Sequence, residues 1–223
     1  RHQRMPLARG RGLQWALDIH LLLRAWQLGP PPSAGRWNAV VRACAKAGRR
    51  AEVLWLLASM NRSSLHADMI TRVSAMRCCG EGRHWEAALA LLSEMPSAVL
   101  RPNVIAHGAV ISACEKAHSW QAAFALLRTA GPAEWRPNAV AYGATMSACG
   151  KAQRWDLALW LLSDMARLAL RADTVAHNAA ISACQRTRRW AAAVALLHDM
   201  PSAALTPDLA SFNASISACE GMQ

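Results

Sequence analysis

Gly108 to Trp120 reads GAVISACEKAHSW, and its central Ser-Ala-Cys returns at Ser147-Ala148-Cys149, Ser182-Ala183-Cys184 and Ser217-Ala218-Cys219. The interval is constant: Cys44, Cys79, Cys114, Cys149, Cys184 and Cys219 are each 35 residues apart. Trp15, Trp85, Trp120, Trp155 and Trp190 form a second column of the same period, with Arg50 on the remaining rung. Met60, Met95, Met165 and Met200 form a third, with Ala130 in its gap. A sustained period of this size is the mark of a repeat architecture, in which each unit is one supersecondary element.

Each unit reads as two helices. Val104, His107, Val110, Ile111 and Cys114 recur at helical spacing, and Trp120, Ala123, Phe124 and Leu127 do so again after a polar break over Lys116 to Ser119. Pro102, Pro137 and Pro207, each followed by Asn or Asp, mark helix starts, because Pro closes the preceding connection and the short polar side chain caps the next helix. A two-helix unit cannot bury its apolar faces alone, so consecutive units must stack into an all-α solenoid.

The expected units are 32–66, 67–101, 102–136, 137–171 and 172–206. Residues 1–31 read as a basic segment followed by the second helix of a partial unit, and 207–223 as the first helix of another, so both ends fall within a unit. The opening RHQRMPLARGRG carries four Arg and no acid, which is reminiscent of the end of an organelle transit peptide.

Of the 223 residues, 53% are hydrophobic and 17% charged, which favours a folded core over disorder. Charged residues break every Leu-rich stretch before it reaches the length of a membrane span. The net charge of +11 points to a polyanionic partner. A Cys repeated once per unit on the apolar face, without any CxxC pair, reads as a small buried residue rather than a metal ligand, a nucleophile or half of a disulfide. His107 and His177 share their column with Trp37, Arg72, Tyr142 and Phe212, so planar packing explains them better than metal binding.

Opposite the apolar face of the first helix, Ile105, Gly108, Ser112 and Lys116 fall on one stripe. The other units place Asn38 and Lys46, Val73 and Glu81, Gly143 and Lys151, and Asn178 and Arg186 there. Asn38, Gly108, Gly143, Asn178 and Asn213 are poor helix formers at one equivalent early position, where scaffolding alone favours Ala or Leu. Lys46, Lys116, Lys151 and Arg186 supply one cation per unit, a spacing able to follow a single-stranded phosphate backbone. The same cations also suit an ordinary solvated helix end, where the dipole favours positive charge.

With its 35-residue period, its Pro-Asn and Pro-Asp starts, its first helices VIAHGAVISACEKA, AVAYGATMSACGKA and TVAHNAAISACQRT, and its second helices WEAALALLSEM and WDLALWLLSDM, the chain resembles the pentatricopeptide repeat family over nearly its whole length. That resemblance implies a right-handed α-solenoid that binds single-stranded RNA, one base per unit, with the strand running 5′ to 3′ from the N to the C terminus. It further implies that each base is selected by a pair: Asn38 with Asp68, Val73 with Asn103, Gly108 with Asn138, Gly143 with Asp173, and Asn178 with Asp208, Asn213 being the first member of the next. Ile70, Ile105, Val140 and Val175 would wedge between bases, and Lys46, Lys116, Lys151 and Arg186 would meet phosphates. Similarity to the family's pairs gives an expected site of U, any base, A, G and U. The Asn and Asp members also suit helix caps, and the two roles are compatible.

The resemblance implies an organelle, the chloroplast ahead of the mitochondrion, and a role in RNA processing, stability, editing or translation beside other RNA-processing proteins. No cofactor, metal, membrane or small-molecule substrate is expected, and no enzymatic activity. His84-Trp85-Glu86 matches half of a zinc deaminase signature, but Pro-Cys-x-x-Cys is missing and Trp85 belongs to the Trp column. The competing reading is a protein-interaction scaffold, like the tetratricopeptide solenoids, whose groove takes an acidic or helical peptide.

Overall fold

The structure, a computed structural model, describes residues 14–28, 32–95, 101–129 and 135–220. They form twelve helices. The first, α1 (Gln14–Leu28), packs on α2 (Ala34–Lys46), which pairs with α3 (Arg50–Arg62). The pairs α4 (Met69–Glu81) and α5 (Trp85–Ser93), α6 (Val104–Lys116) and α7 (Trp120–Arg128), α8 (Ala139–Lys151) and α9 (Trp155–Arg167), and α10 (Thr174–Arg186) and α11 (Trp190–Ser202) follow, and then α12 (Leu209–Cys219). The α2/α3 pair is the first unit below and α10/α11 the fifth. Residues 1–13 and Ala130, read above as a basic segment and a rung of the Met column, lie outside the described residues.

Asp and Asn start the first helices as expected. Asp68, Asn103, Asn138, Asp173 and Asp208 accept the backbone N–H three residues on at 2.7, 3.0, 2.9, 2.8 and 2.8 Å, which satisfies one otherwise orphaned donor in each helix. The break between the two helices of a unit is a tight turn through the left-handed region, at Gly48, Arg83, His118, Gln153 and Arg188. The following N–H returns to the carbonyl of the column Cys, as from Ser119 to Cys114 at 2.9 Å.

The Cys and Met columns are buried as stacking requires, while Trp15, Trp85, Trp120 and Trp155 are half-buried and Trp190 is exposed. Cys44, Cys79, Cys114, Cys149 and Cys184 are fully buried, as are Met60, Met95, Met165 and Met200. Burial pushes the Cys44, Cys79, Cys114, Cys149 and Cys184 thiols up to about 11, so they stay protonated and unreactive at neutral pH. Cys78, beside Cys79, is also buried and its thiol is raised by the same loss of solvent.

First helices approach first helices closely along the whole row, from α2 through α4, α6, α8 and α10 to α12. Small residues make this possible: a Cβ on Gly150 would lie 3.2 Å from the Ala183 Cβ. Second helices instead contact the first helices on either side, and meet each other through long side chains, as where Phe124 and Trp160 lie 5.6 Å apart. The row with the shorter spacing is the inner one, so the first helices line the concave side. A lattice of guanidinium contacts holds the outer row: Arg49 lies over Trp15 at 4.3 Å, and Arg154 over Trp120 and Arg189 over Trp155 at 4.7 Å.

Candidate nucleic-acid interface

Because the apolar face of each first helix packs outward against second helices, its opposite stripe faces the inner side. Ile70, Ile105, Val140 and Val175 stand on that side at 66%, 58%, 73% and 68% exposure, although equally apolar neighbours such as Val110 and Ile181 are fully buried. From the second unit to the fifth, one β-branched side chain per unit is thus held in solvent at a regular rise, while the first unit has Gly35 at that position. Such a ladder of exposed apolar groups marks a contact surface.

Around Val140 and Val175 the inner side hollows into a groove of about 590 Å³, lined also by Gly108, Gly143, Asp173, Asn178, Lys151 and Arg186. The structure therefore brings together residues of three successive units that the sequence reading expects as first selectors, wedges, a loop selector and cations. A Cβ added to Gly108 or Gly143 would touch nothing within 4 Å. Packing does not require these two glycines; what they provide is room in the groove.

The first selectors otherwise differ in access. Asn178 is half-buried and Asn213 exposed, whereas Asn38 and Val73 retain 6% and 7% of their surface. The Asn38 Oδ1 is buried with no hydrogen-bond partner among the described residues. At the fifth unit the two selectors are joined directly: the Asn178 amide donates to both Asp208 carboxylate oxygens at 3.1 Å, and the Ser211 hydroxyl donates to Asn178 Oδ1 at 2.6 Å. Hydrogen bonds from the Ser211 backbone, its hydroxyl and Asn178 hold the Asp208 carboxyl below its ordinary 3.8. At the first unit Asp68 is taken instead by Arg42, whose Nη1 lies 3.3 Å from Oδ2. Burial alone would raise the Asp68 carboxyl, but hydrogen bonds from Thr71 and the charge of Arg42 outweigh it and leave it lowered. Asn103 and Asn138 are exposed, with Oδ1 spent on the cap, which leaves their amide N–H groups for another acceptor.

Of the four cations, Lys46, Lys116 and Arg186 are exposed. Lys151 differs, because its Nζ lies 3.1 Å from Glu115 Oε1, which also accepts the Ser147 hydroxyl at 2.7 Å. Glu81, in the cation column, is exposed. His107 and His177 are buried, each with Nδ1 on the carbonyl of its own helix cap, at 3.0 Å from Asn103 and 3.2 Å from Asp173. The His107 ring stacks on Trp135 at 4.4 Å and 9°. Among the described residues no three His, Cys, Asp or Glu side chains converge as metal ligands, and no helix is long and apolar enough to cross a membrane.

Arg42, Ser211 and Glu115 were not foreseen. A signal for the first existed, since the column one turn beyond the first selectors holds Arg42 and Arg77, then Ser112, Ser147, Ser182 and Ser217.

Two family profiles match the sequence: the pentatricopeptide repeat domain over residues 160–222, and the PPR repeat over 37–65 and again over 140–168. No curated protein matches it. Among solved structures, the pentatricopeptide repeat protein PPR10 from maize superposes with a TM-score of 0.59 at 18% identity, covering 92% of this chain and 34% of that one. PPR10 in complex with an 18-nt psaJ RNA element gives 0.63 at 24% identity, covering 93% and 30%. The PPR domain of Arabidopsis thaliana protein-only RNase P 1, in complex with tRNA, gives 0.66 at 12% identity, covering 81% and 95%. The chain thus spans about a third of the length of PPR10. At these identities the superpositions establish the fold, an all-α helical-repeat solenoid. Repeat period, capped first helices and matching profiles agree, and the chain belongs to the pentatricopeptide repeat family.

Proposed function

We propose that the inner groove binds single-stranded RNA, one nucleotide per unit, with the 5′ end toward the first unit. The observation that carries this reading is the exposed ladder of Ile70, Ile105, Val140 and Val175 beside an open groove. Apolar side chains at a regular rise sit between stacked rings at little cost in sequence preference, while the polar groups beside them read base edges. Lys46, Lys116 and Arg186 are placed to neutralise phosphates. The RNA complexes of PPR10 and of the protein-only RNase P domain support the same reading by likeness of fold.

Base selection follows from edge chemistry. Uracil presents an N–H donor flanked by two carbonyl oxygens. At the fifth unit one Asn178 N–H can serve Asp208 while the other meets a uracil oxygen, and the carboxylate accepts the uracil N–H. Gly108 with Asn138 and Gly143 with Asp173 leave space for the larger purines, A at the third unit and G at the fourth. Val73 with Asn103 offers one polar group and reads no particular base. The activity is binding rather than catalysis, in organelle RNA processing, stabilisation, editing or translation, and in the plastid ahead of the mitochondrion, a placement that rests on family membership.

Selection of bound sequences from a random single-stranded RNA pool tests this function, run in parallel on the Asn178→Ser, Asp208→Asn double variant. Enrichment of a motif with U opposite the fifth unit, moving toward A in the variant, is the expected result. If the wild type enriches no RNA while an acidic helical peptide binds the same groove, the protein is an interaction scaffold instead.

A further inference from the structure

The first and fifth units carry the same selector pair, Asn38 with Asp68 and Asn178 with Asp208, yet the structure arranges the two pairs differently. A hydroxyl accompanies each pair in sequence: the column that follows the loop selector by three residues holds Thr71 and Ser211 at these two units, and Ala106, Ala141 and Ala176 at the others. At the fifth unit the three groups form one connected network, with Asn178 bonded to Asp208 at 3.1 Å and Ser211 to Asn178 at 2.6 Å. At the first unit the equivalent atoms, Asn38 Oδ1 and Thr71 Oγ1, are both buried but not bonded to each other. The residue that differs is Arg42, which bonds Asp68 at 3.3 Å where the third, fourth and fifth units carry Ser112, Ser147 and Ser182.

We infer that Arg42 is a third specificity determinant of the first unit, and that it removes the preference for uracil over cytosine that its Asn–Asp pair would otherwise confer. The two bases differ at N3, which is an N–H donor in uracil and an acceptor in cytosine. A carboxylate with no cation beside it favours the donor. Asp68 accepts the Thr71 N–H on Oδ1 at 2.7 Å and Arg42 on Oδ2, which leaves lone pairs for a uracil N–H, while the guanidinium beside it offers N–H donors to a cytosine N3. Both pyrimidines then find a partner, so discrimination is lost rather than inverted. Arg42 and Asp68 keep 39% and 46% side-chain exposure, so a base can reach both. The inference rests on the RNA-binding reading above and deepens it.

The test is direct binding of the full chain to short single-stranded RNA probes that carry U or C opposite the first unit, and separately U or C opposite the fifth. In the wild type, U→C opposite the fifth unit should weaken binding about tenfold, the worth of one hydrogen bond to a charged group, and opposite the first unit by less than about twofold. Arg42→Ser, which installs the residue of the later units, should bring the penalty at the first site to about tenfold. Arg42→Lys keeps the charge beside Asp68 and should retain the wild-type tolerance, with circular dichroism showing both variants folded. Equal U-over-C preference at both sites of the wild type overturns the assignment, as does a first site that stays indifferent in Arg42→Ser. Indifference at the fifth site as well would overturn base reading by the selector pairs, and this inference with it.

Discussion

Arg154 holds its guanidinium 4.7 Å above the ring of Trp120, one repeat earlier, and Arg189 and Arg49 do the same over Trp155 and Trp15. The Trp column is therefore half of an inter-unit contact whose other half is the residue just before the next second helix. At Trp85 that residue is Ser119, whose side chain makes no cap hydrogen bond. Ser119→Arg should add the missing contact and stabilise the chain by about 0.5–1 kcal/mol. Trp120→Ala should cost about 2–3 kcal/mol, since the ring is half-buried. Urea unfolding followed by circular dichroism measures both, and a destabilised Ser119→Arg chain would count against the outer lattice.

The glycines divide into two classes with opposite expected effects. A Cβ on Gly80 would lie 2.8 Å from the Ala113 Cβ and 3.0 Å from its Cα, where α4 packs against α6. Gly80→Ala should destabilise by about 1–3 kcal/mol through overpacking. Gly108→Ala meets open space and should stabilise by about 0.5–1 kcal/mol, because a helical glycine loses more backbone freedom than alanine. Thermal melts of the two variants should move in opposite directions.

Glu115 pairs with Lys151, one of the cations proposed to meet RNA phosphates. Its carboxylate lies 3.1 Å from the Lys151 ammonium, in a column that is otherwise Ala45, Gly80, Gly150, Gln185 and Glu220. Glu115→Gln, which copies the fifth unit, should free the cation and tighten RNA binding. The log–log salt dependence should steepen by about 0.7, the contribution of one phosphate contact on a single strand. An unchanged salt slope would show that Lys151 does not reach the backbone.

Tyr142, the single tyrosine, donates to Asp164 Oδ2 at 2.6 Å. Burial, and then the bond to Asp164 and its charge, push the phenol well above its ordinary 10.0. Burial opposes ionisation of Asp164 as well, but Tyr142 and Arg167 outweigh it and hold that carboxyl below 3.8. A raised phenol pKa in the folded chain contributes stability that is complete below pH 10.0 and lost as pH rises through the folded value. A lowered carboxyl pKa contributes stability present above pH 3.8 and lost as pH falls through its folded value. The stability difference between wild type and Tyr142→Phe should therefore be greatest between these limits and shrink outside both. Absorbance titration reads this phenolate alone, and a midpoint at the ordinary value in the folded chain would refute the bond.

Helix positions were legible because helical period, caps and burial are local properties written into every unit. Pro137 and Asn138 announce α8, and Asn138 does cap it. The break at Lys116 to Ser119 is where α6 ends and α7 begins. The inner stripe was legible for the same reason: a residue's face on a helix follows from its number. Less legible was the accessibility of individual selectors. Asn38 reads like Asn178 in sequence, but it is 6% exposed with an unpartnered oxygen, and its Asp68 partner is drawn off by Arg42, a contact between successive units.

The sequence by itself determined the repeat, the two helices of each unit, the buried Cys and Met columns and the family, because one 35-residue pattern written repeatedly leaves one way to bury its apolar faces. Tertiary structure alone decided the partnerships of Arg154 with Trp120, Lys151 with Glu115, Arg42 with Asp68 and Ser211 with Asn178. Each joins residues of successive units. Which side chains meet there depends on the rise and rotation from one unit to the next, and no single repeat encodes those.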